Sequence, residues 1–257
     1  MTPQTYVGIT GFESGAQVGA IRAAIPDDRL LMIGCGMRGH PINWAPDKWP
    51  NRCPPPERLP GIFLPYRNVL NVLHFSPREG CNLFEHMCLA HEAAGPYFHG
   101  FQLNTVWPEA HALAQYKKRF PKATVTIALQ GESLDEVKWG PEAIARKLTS
   151  YGDTIDRVIL DPSAGEGKDI DVSFTRRTYE EIGRLLPKLG LVAAGGLHGG
   201  NVEEMLSGLL RQFPLSVDAE SKLRTKPGDR LDMVKAIHYI RATDALLRKF
   251  EAQHTAA

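Results

Sequence analysis

The sequence predicts an α/β fold, because short apolar segments alternate along the chain with segments of helical periodicity. Such alternation implies a parallel sheet with right-handed crossovers. Eight apolar segments in 257 residues fit a closed (β/α)8 TIM barrel, so we expect one domain over residues 1–257. The predicted strands are Tyr6–Thr10, Leu30–Cys35, Val69–Phe75, Phe98–Leu103, Ala123–Leu129, Arg157–Leu160, Leu191–Ala194 and Leu215–Val217. The predicted helices are Ala16–Ile25, Leu83–Ala94, Glu109–Arg119, Pro141–Tyr151, Thr178–Leu186, Val202–Leu210 and Asp232–Phe250.

A doubly wound open sheet is the rival α/β architecture. Its dinucleotide-binding forms carry a G-x-G-x-x-G turn after the first strand. Here the first strand runs into residues 8–15, Gly-Ile-Thr-Gly-Phe-Glu-Ser-Gly, which lack that spacing. The number of strand–helix units therefore favours the barrel.

The interval Gly36–Arg67, a long loop after the second strand, breaks the alternation because it holds eight prolines. Proline at this density prevents a long helix. In a barrel, the loops that follow strands lie on the face that carries the active site. Long loops of this kind often form lids or binding loops. A packed surface loop or an oligomer contact, as in a homodimer, is the other interpretation.

Composition excludes several kinds of partner. The formal net charge of +1 gives no support for nucleic acid or an anionic membrane. No apolar run reaches the length of a membrane span, and the first residues lack a signal pattern, so we expect a cytoplasmic protein with a small-molecule partner. The cysteines form no C-x-x-C pair and the histidines lack ligand spacing, so we expect no metal site.

Polar side chains recur at the carboxyl ends of the predicted strands, where barrels build their active sites. Asp161 directly follows the apolar run Val158–Leu160, so its carboxyl is partly desolvated and suited to general acid work. The structural alternative is that Asp161 caps the loop that follows it. The catalytic candidates are Asp161, Thr10 and Cys35, and the substrate-binding candidates are Arg38, His74, Gln102, Asn104, Lys168, Asp218 and Glu220.

Two glycine-containing segments predict an anionic ligand. The apolar residues 192–194 run into the pair Gly195 and Gly196, and a helix begins just after Asn201. Backbone N–H groups in such a turn, with a helix start behind them, favour a phosphate. An ordinary strand-to-helix turn is the alternative. The loop of residues 162–171 adds Lys168 between glycine and acidic residues, and loops of this type close over anionic substrates.

A series of motifs, most of them in the second half of the chain, matches one known pattern. The residues are Asp161, Gly165-Glu166-Gly167-Lys168-Asp169-Ile170-Asp171, Ala194-Gly195-Gly196-Leu197, Asn201-Val202, Val217-Asp218 and, earlier, Phe101-Gln102-Leu103-Asn104. In this order they resemble the phosphoribosylanthranilate isomerase family. That resemblance implies a TIM barrel that performs an Amadori rearrangement in tryptophan biosynthesis without metal or organic cofactor. It implies that Asp161 protonates the ring oxygen, and that Gly195, Gly196 and Asn201 border the phosphate.

Three positions depart from the family pattern. Thr10 stands where the family has the strand-one cysteine that removes the C2 proton, and a threonine hydroxyl cannot serve as that base unaided. Glu220 brings a negative charge near the expected phosphate, and Asn104 replaces a histidine. An enzyme with this sequence needs another base, for which Cys35, His74 and Glu220 are the candidates.

Two functions from different classes remain open. The first is a cofactor-free isomerase or lyase that acts on a sugar-phosphate-like or anthranilate-like molecule, with Asp161 as general acid. The second is a non-catalytic barrel that binds a ligand or takes part in an assembly, which the missing thiol favours. A Schiff-base aldolase is disfavoured, because no lysine lies within a predicted strand.

Overall fold

A closed barrel of eight parallel strands forms the centre of the computed structural model, which describes residues 2–41, 49–161 and 169–255. Each strand pairs with the next along the chain, and β8 closes on β1 through pairs such as Gly8 with Asp218. This confirms the predicted TIM barrel. The strands are β1 (Tyr6–Thr10), β2 (Leu30–Gly39), β3 (Val69–Pro77), β4 (Gly100–Leu103), β5 (Thr124–Leu129), β6 (Arg157–Leu160), β7 (Gly190–Ala193) and β8 (Leu215–Ala219).

Helices connect the strands. Ser14, Asn82 and Asp171 each cap a helix by accepting a hydrogen bond from a backbone N–H of the first turn. With Asp171 as its cap, the helix after β6 begins at Val172 and not at the predicted Thr178. The helices are α1 (Gly15–Arg22), α2 (Leu59–Ile62), α3 (Leu83–Ala94), α4 (Ala110–Arg119), α5 (Glu132–Glu136), α6 (Pro141–Thr149), α7 (Val172–Leu185), α8 (Val202–Leu210) and α9 (Met233–Thr255). No helix in the described ranges has the length and apolar character that a membrane span requires.

The alternation of side chains along each strand divides the apolar residues into two cores. Inside the barrel, a small core joins inward side chains of six strands: Tyr6, Met32, Val72, Ala128, Ile159 and Val192. The neighbouring residues along the strands point outward and pack with the helices in a much larger core. Because the barrel interior is filled in this way, a ligand finds room only beyond the small core, at an end of the barrel.

The proline-rich segment lies against the carboxyl end of the barrel. β2 is longer than predicted, because its pairing with β3 continues to Gly39 opposite Pro77. The segment then forms the short helix α2, preceded by a 3-10 turn at Pro56–Arg58, and its residues 42–48 lie outside the described ranges. Arg52 ties it down: its carbonyl accepts a bond of 2.8 Å from the N–H of Gly36, and its guanidinium binds both carboxylate oxygens of Asp229 at 2.7 and 2.8 Å.

Candidate active site

A cavity opens at the carboxyl ends of the strands, above the small interior core. Ala128 and Ile159 of that core form part of its wall. Seven of the predicted site residues line it: Thr10, His74, Asp161, Gly195, Gly196, Asp218 and Glu220. Gln130 and Lys222, which were not among the predicted site residues, line it as well. The signal for Gln130 was its position directly after β5, and the signal for Lys222 was its position shortly after β8.

Asp218 is the most buried carboxyl of this cavity. The residue is 6% exposed, and its Oδ2 accepts a hydrogen bond of 2.9 Å from Nε2 of Gln102. The same Gln102 amide donates to the hydroxyl of Tyr6 at 3.2 Å. Among the described residues, Oδ1 of Asp218 has no hydrogen-bond partner. One oxygen of the carboxyl is therefore fixed, and the other is buried without a partner.

The surroundings of Asp218 favour its protonated form. Burial raises the pKa of Asp218 from an ordinary 3.8 to about 7, and the charges of Glu220 and Asp161 act in the same direction. The hydrogen bond from Gln102 and the backbone N–H of Ala219 oppose the rise. A carboxyl whose pKa lies near neutrality exchanges a proton readily at physiological pH.

Two glycines make room for the polar atoms at this side of the cavity. A methyl group at Gly8 would lie 3.2 Å from Oδ1 of Asp218, and one at Gly34 would lie 2.5 Å from Oγ1 of Thr10. Thr10 is 3% exposed, and its hydroxyl lacks a hydrogen-bond partner within the described ranges. Adjacent strands thus present two buried polar atoms that a substrate can satisfy.

The turn after β7 has the conformation that its glycines predict. Gly195 and Gly196 have φ angles of 117° and 60°, which side chains other than glycine rarely adopt. Asn201 holds the turn: its Oδ1 accepts a bond of 2.8 Å from the N–H of His198, and its Nδ2 donates at 3.1 Å to the carbonyl of Gly196. Helix α8 begins directly after it at Val202. Asn201 therefore shapes the predicted phosphate turn with both ends of its amide.

Glu220 has a cationic neighbour from the proline-rich segment. Nη1 of Arg52 lies 3.5 Å from Oε1 of Glu220 and 3.3 Å from the hydroxyl of Ser221. The Arg52 guanidinium also stacks on the ring of Trp49, 4.8 Å from its centroid. The negative charge that Glu220 brings to the cavity is thus partly compensated from the segment after β2.

Two predicted substrate-binding amides contact residues of the cavity wall without lining the cavity themselves. Nε2 of Gln102 donates to Asp218 and to Tyr6. Nδ2 of Asn104 donates to Oγ of Ser76 at 3.0 Å, and Oδ1 of Asn104 accepts a bond from the Gln130 amide. Asn104 thus ties β3 to β5, and neither amide is among the residues that line the cavity.

Two further predicted residues do not line the cavity, and a third lies outside the described ranges. Cys35 is fully buried in the outer core with its Sγ 3.5 Å from the carbonyl oxygen of Phe12, and burial raises the pKa of its thiol far above the usual range. The thiol is buried there because side chains alternate along β2: Met32 points into the barrel and Cys35 points toward the helices. The expectation that Cys35 faces a site is therefore wrong. Arg38 stacks on Trp49, 4.9 Å from the ring centroid. Lys168 lies outside the described residues.

Over the described ranges, no group of three or more histidine, cysteine, aspartate and glutamate side chains is placed to hold a metal ion.

Comparisons with known proteins show the fold. No family model matches the chain, and no curated protein matches it. The catalytic domain of a hyperthermophilic chitinase from Pyrococcus furiosus is similar over 95% of this chain and 97% of its own, with 11% identity and a TM-score of 0.56. The octameric Rubisco from Pyrococcus horikoshii OT3 is similar over 96% of this chain and 60% of its own, with 13% identity and a TM-score of 0.58.

A third similar structure is the YdjI aldolase from Escherichia coli K12, which matches 96% of this chain and 90% of its own, with 10% identity and a TM-score of 0.52. The three proteins carry different chemistries on one fold. At such low identity the likeness defines the class, TIM-barrel proteins, and function has to be argued from the site.

Proposed function

We propose that this protein is an isomerase or lyase of the phosphoribosylanthranilate isomerase type, acting on a small phosphorylated molecule with Asp161 as general acid. One observation carries the proposal: a single cavity gathers the strand-end carboxyls Asp161, Asp218 and Glu220 next to the glycine turn of Gly195 and Gly196. A group of carboxyls beside an anion-binding turn, one of them, Asp218, with a raised pKa, is typical of acid–base catalysis on phosphorylated substrates. The family resemblance implies that the reaction needs no metal or organic cofactor.

The turn after β7 provides the phosphate site. Its glycines allow a close approach of backbone N–H groups, and the amino-terminal end of α8 stands behind them. Lys222 lines the same cavity and supplies a cation, while the Arg52 guanidinium offsets Glu220. A phosphate at this turn places the rest of a substrate over the cavity, between the ends of β6 and β8.

The strand order sets the two sides of the reaction. β7 lies between β6, which Asp161 directly follows, and β8, which carries Asp218. In an Amadori rearrangement, an acid protonates the ring oxygen while the bond from C1 to that oxygen breaks, and the nitrogen lone pair forms the C=N bond. Asp161 supplies this proton and becomes a carboxylate. A base then removes the proton from C2.

The test is turnover of phosphoribosylanthranilate by purified protein, together with complementation of a strain that lacks this activity. We expect turnover by wild type, and a loss of about 10²–10⁴ in kcat for Asp161→Asn, the range for a general acid. Glu180→Gln is the matched control, because it removes an exposed carboxylate on α7. Binding of inorganic phosphate without any turnover, and no growth of the strain, would instead favour a non-catalytic ligand-binding barrel.

A further inference from the structure

We propose that Asp218 is the general base of this site and that Gln102 is its positioning residue. The inference rests on the proposed function and names the group that the replacement of the strand-one thiol by Thr10 leaves unassigned. It is argued from the unpartnered oxygen of a buried carboxyl, the fixation of the other oxygen, and the place of β8 beside β1.

A general base needs one atom that reaches the substrate and a scaffold that holds it. Asp218 has both features, because Gln102 holds Oδ2 at 2.9 Å and Oδ1 has no partner among the described residues. A Cβ at Gly8 would meet Cε of Met32 at 2.5 Å, Cε2 of Tyr6 at 2.9 Å and Oδ1 at 3.2 Å, so the missing side chain leaves space for all three groups. Asp218 lines the cavity, and its buried Oδ1 is left without a partner by the described residues, so a molecule bound against it can supply one.

The place of Asp218 compensates for Thr10. β8 pairs with β1 in parallel, with Asp218 opposite Gly8, and Thr10 follows two positions further along the same inward face. A carboxylate on β8 therefore reaches the region in which the family's strand-one base would act. Since β7 separates it from Asp161, acid and base stand on opposite sides of the glycine turn.

The other predicted bases are less suited. Cys35 points into the outer core, where its thiol is buried. The carboxylate of Glu220 already has a cationic partner, since Nη1 of Arg52 lies 3.5 Å from its Oε1. His74 stands on β3, on the far side of the barrel from the strands that flank the turn.

Burial raises the proton affinity of Asp218 most, and the groups that face its carboxyl add to this effect. Glu220, directly after its own strand, and Asp161, directly after β6, disfavour a further negative charge. The hydroxyls of Tyr6 on β1 and Tyr239 on α9 are buried near it, and the charge of Asp218 helps to raise the pKa of both. With its pKa raised to about 7, Asp218 is part carboxylate at neutral pH and accepts a proton without binding it irreversibly.

The proposed step balances as follows. Asp218 Oδ1 takes the proton from C2, the C–H electron pair forms a C1–C2 double bond, and the C=N pair returns to nitrogen as an enolamine. The enolamine becomes the aminoketone by gaining a proton at C1 and losing the proton of its C2 hydroxyl. Exchange with water then moves the proton gained by Asp218 back to Asp161, so product and substrate are isomers.

The experiment measures kcat and kcat/KM for phosphoribosylanthranilate between pH 5 and 9, with calorimetric binding of inorganic phosphate to each variant. We expect kcat/KM of wild type to rise through a midpoint near the pKa of Asp218, about 7. Asp218→Asn should lower kcat by about 10²–10⁴, remove this rise and keep phosphate binding. Glu180→Gln on α7 should keep the rise and the turnover.

Gln102→Met supplies a second variant that retains the carboxyl of Asp218. Because Oδ2 loses a hydrogen bond that favours its charged form, the rise should move to higher pH. An Asp218→Asn protein that retains wild-type kcat, or retains the rise, would overturn the base inference and leave the proposed function standing. Wild-type protein that binds phosphate and turns over no substrate would overturn the proposed function, and the base inference with it.

Discussion

Asp218 and Asp244 are equally buried, each 6% exposed, and they lie at opposite ends of the barrel with opposite surroundings. Asp218 faces an amide, two carboxyls and an open cavity. Asp244, on α9, accepts a bond of 2.6 Å from Nε of Arg29 and one of 2.9 Å from Nε of Arg248. Burial alone therefore does not determine what a carboxyl does, because its partners decide whether its charge is stabilised or left reactive.

The amino end of the barrel is built as an ion-pair network. Arg29, just before β2, also binds both oxygens of Glu251 at 2.7 and 2.8 Å, and Arg248 also binds Asp28. The Arg29 guanidinium lowers the pKa of Glu251, and Arg248 lowers the pKa of Asp28. In TIM barrels the amino end serves stability and the carboxyl end serves chemistry. The two aspartates follow that division.

Removal of Arg29 should have the largest effect on stability. Arg29→Met strips Asp244 and Glu251 of a shared buried partner, and we expect the free energy of unfolding to fall by about 3–5 kcal/mol. Urea denaturation measures it. Arg146→Met, which breaks an exposed pair with Glu142 on α6, is the control and should change stability little. Equal losses in the two variants would remove the contrast between the ends of the barrel.

Asp218 should act on stability in the opposite sense. Its pKa is higher in the folded chain than in the unfolded one, so the folded state binds more protons between about pH 4 and 7 and loses stability as pH rises through that window. Asn at this position cannot titrate. From pH 5 to pH 8, wild type should therefore lose about 2–3 kcal/mol relative to Asp218→Asn.

Urea denaturation of both proteins at the two pH values measures this difference. Asp244→Asn serves as the counterpart from the other end of the barrel, and it should lose stability without removing the pH dependence. A pH dependence that is unchanged in Asp218→Asn would show that Asp218 is ionised like an exposed carboxyl.

Arg52 should give the smallest effect, because its partners are only partly buried. Arg52→Gln loses the bidentate contact with Asp229 and the cation beside Glu220, and we expect about 1 kcal/mol of destabilisation. The less compensated Glu220 should also move the pKa of Asp218 upward, which shifts the pH window of stability. Arg58→Gln removes an exposed cation of the same segment that binds the carbonyl of Glu13. It should leave the window in place.

The fold was predictable because short local patterns in the sequence mark its strands and helices. Apolar runs mark the strands so clearly that β1 and β6 begin and end at the predicted residues. Asp161 and the Gly195–Gly196 turn were predictable for the same reason, since each directly follows such a run. Proline density likewise predicted the lack of a long helix after β2, where the described residues form only a 3-10 turn and the short helix α2.

The orientation of β2 was not predictable, because its run Leu30–Cys35 is apolar on both faces and carries no alternation. Cys35 therefore seemed as close to the cavity as Thr10. The role proposed for Asp218 depends on its hydrogen bond with Gln102, which lies 116 residues away along the chain. The cation beside Glu220 comes from Arg52, in the segment after β2. Pairings between such distant parts of the sequence follow from strand register and loop packing, which a local pattern does not encode.

Gly34 also determines which side chain can stand opposite it, at Thr10 in the cavity wall. Where Gly34 has only a hydrogen atom, a methyl group would meet Oγ1 of Thr10 at 2.5 Å. Gly34→Ala combined with Thr10→Ala removes this clash, but the new Cβ would still lie 3.0 Å from Cα of Thr10, so β1 would have to shift by a few tenths of an ångström. The double variant should bind analogues that present an apolar group at this point in preference to molecules that present a polar one. The absence of a side chain at Gly34 thus keeps room for a polar group at position 10.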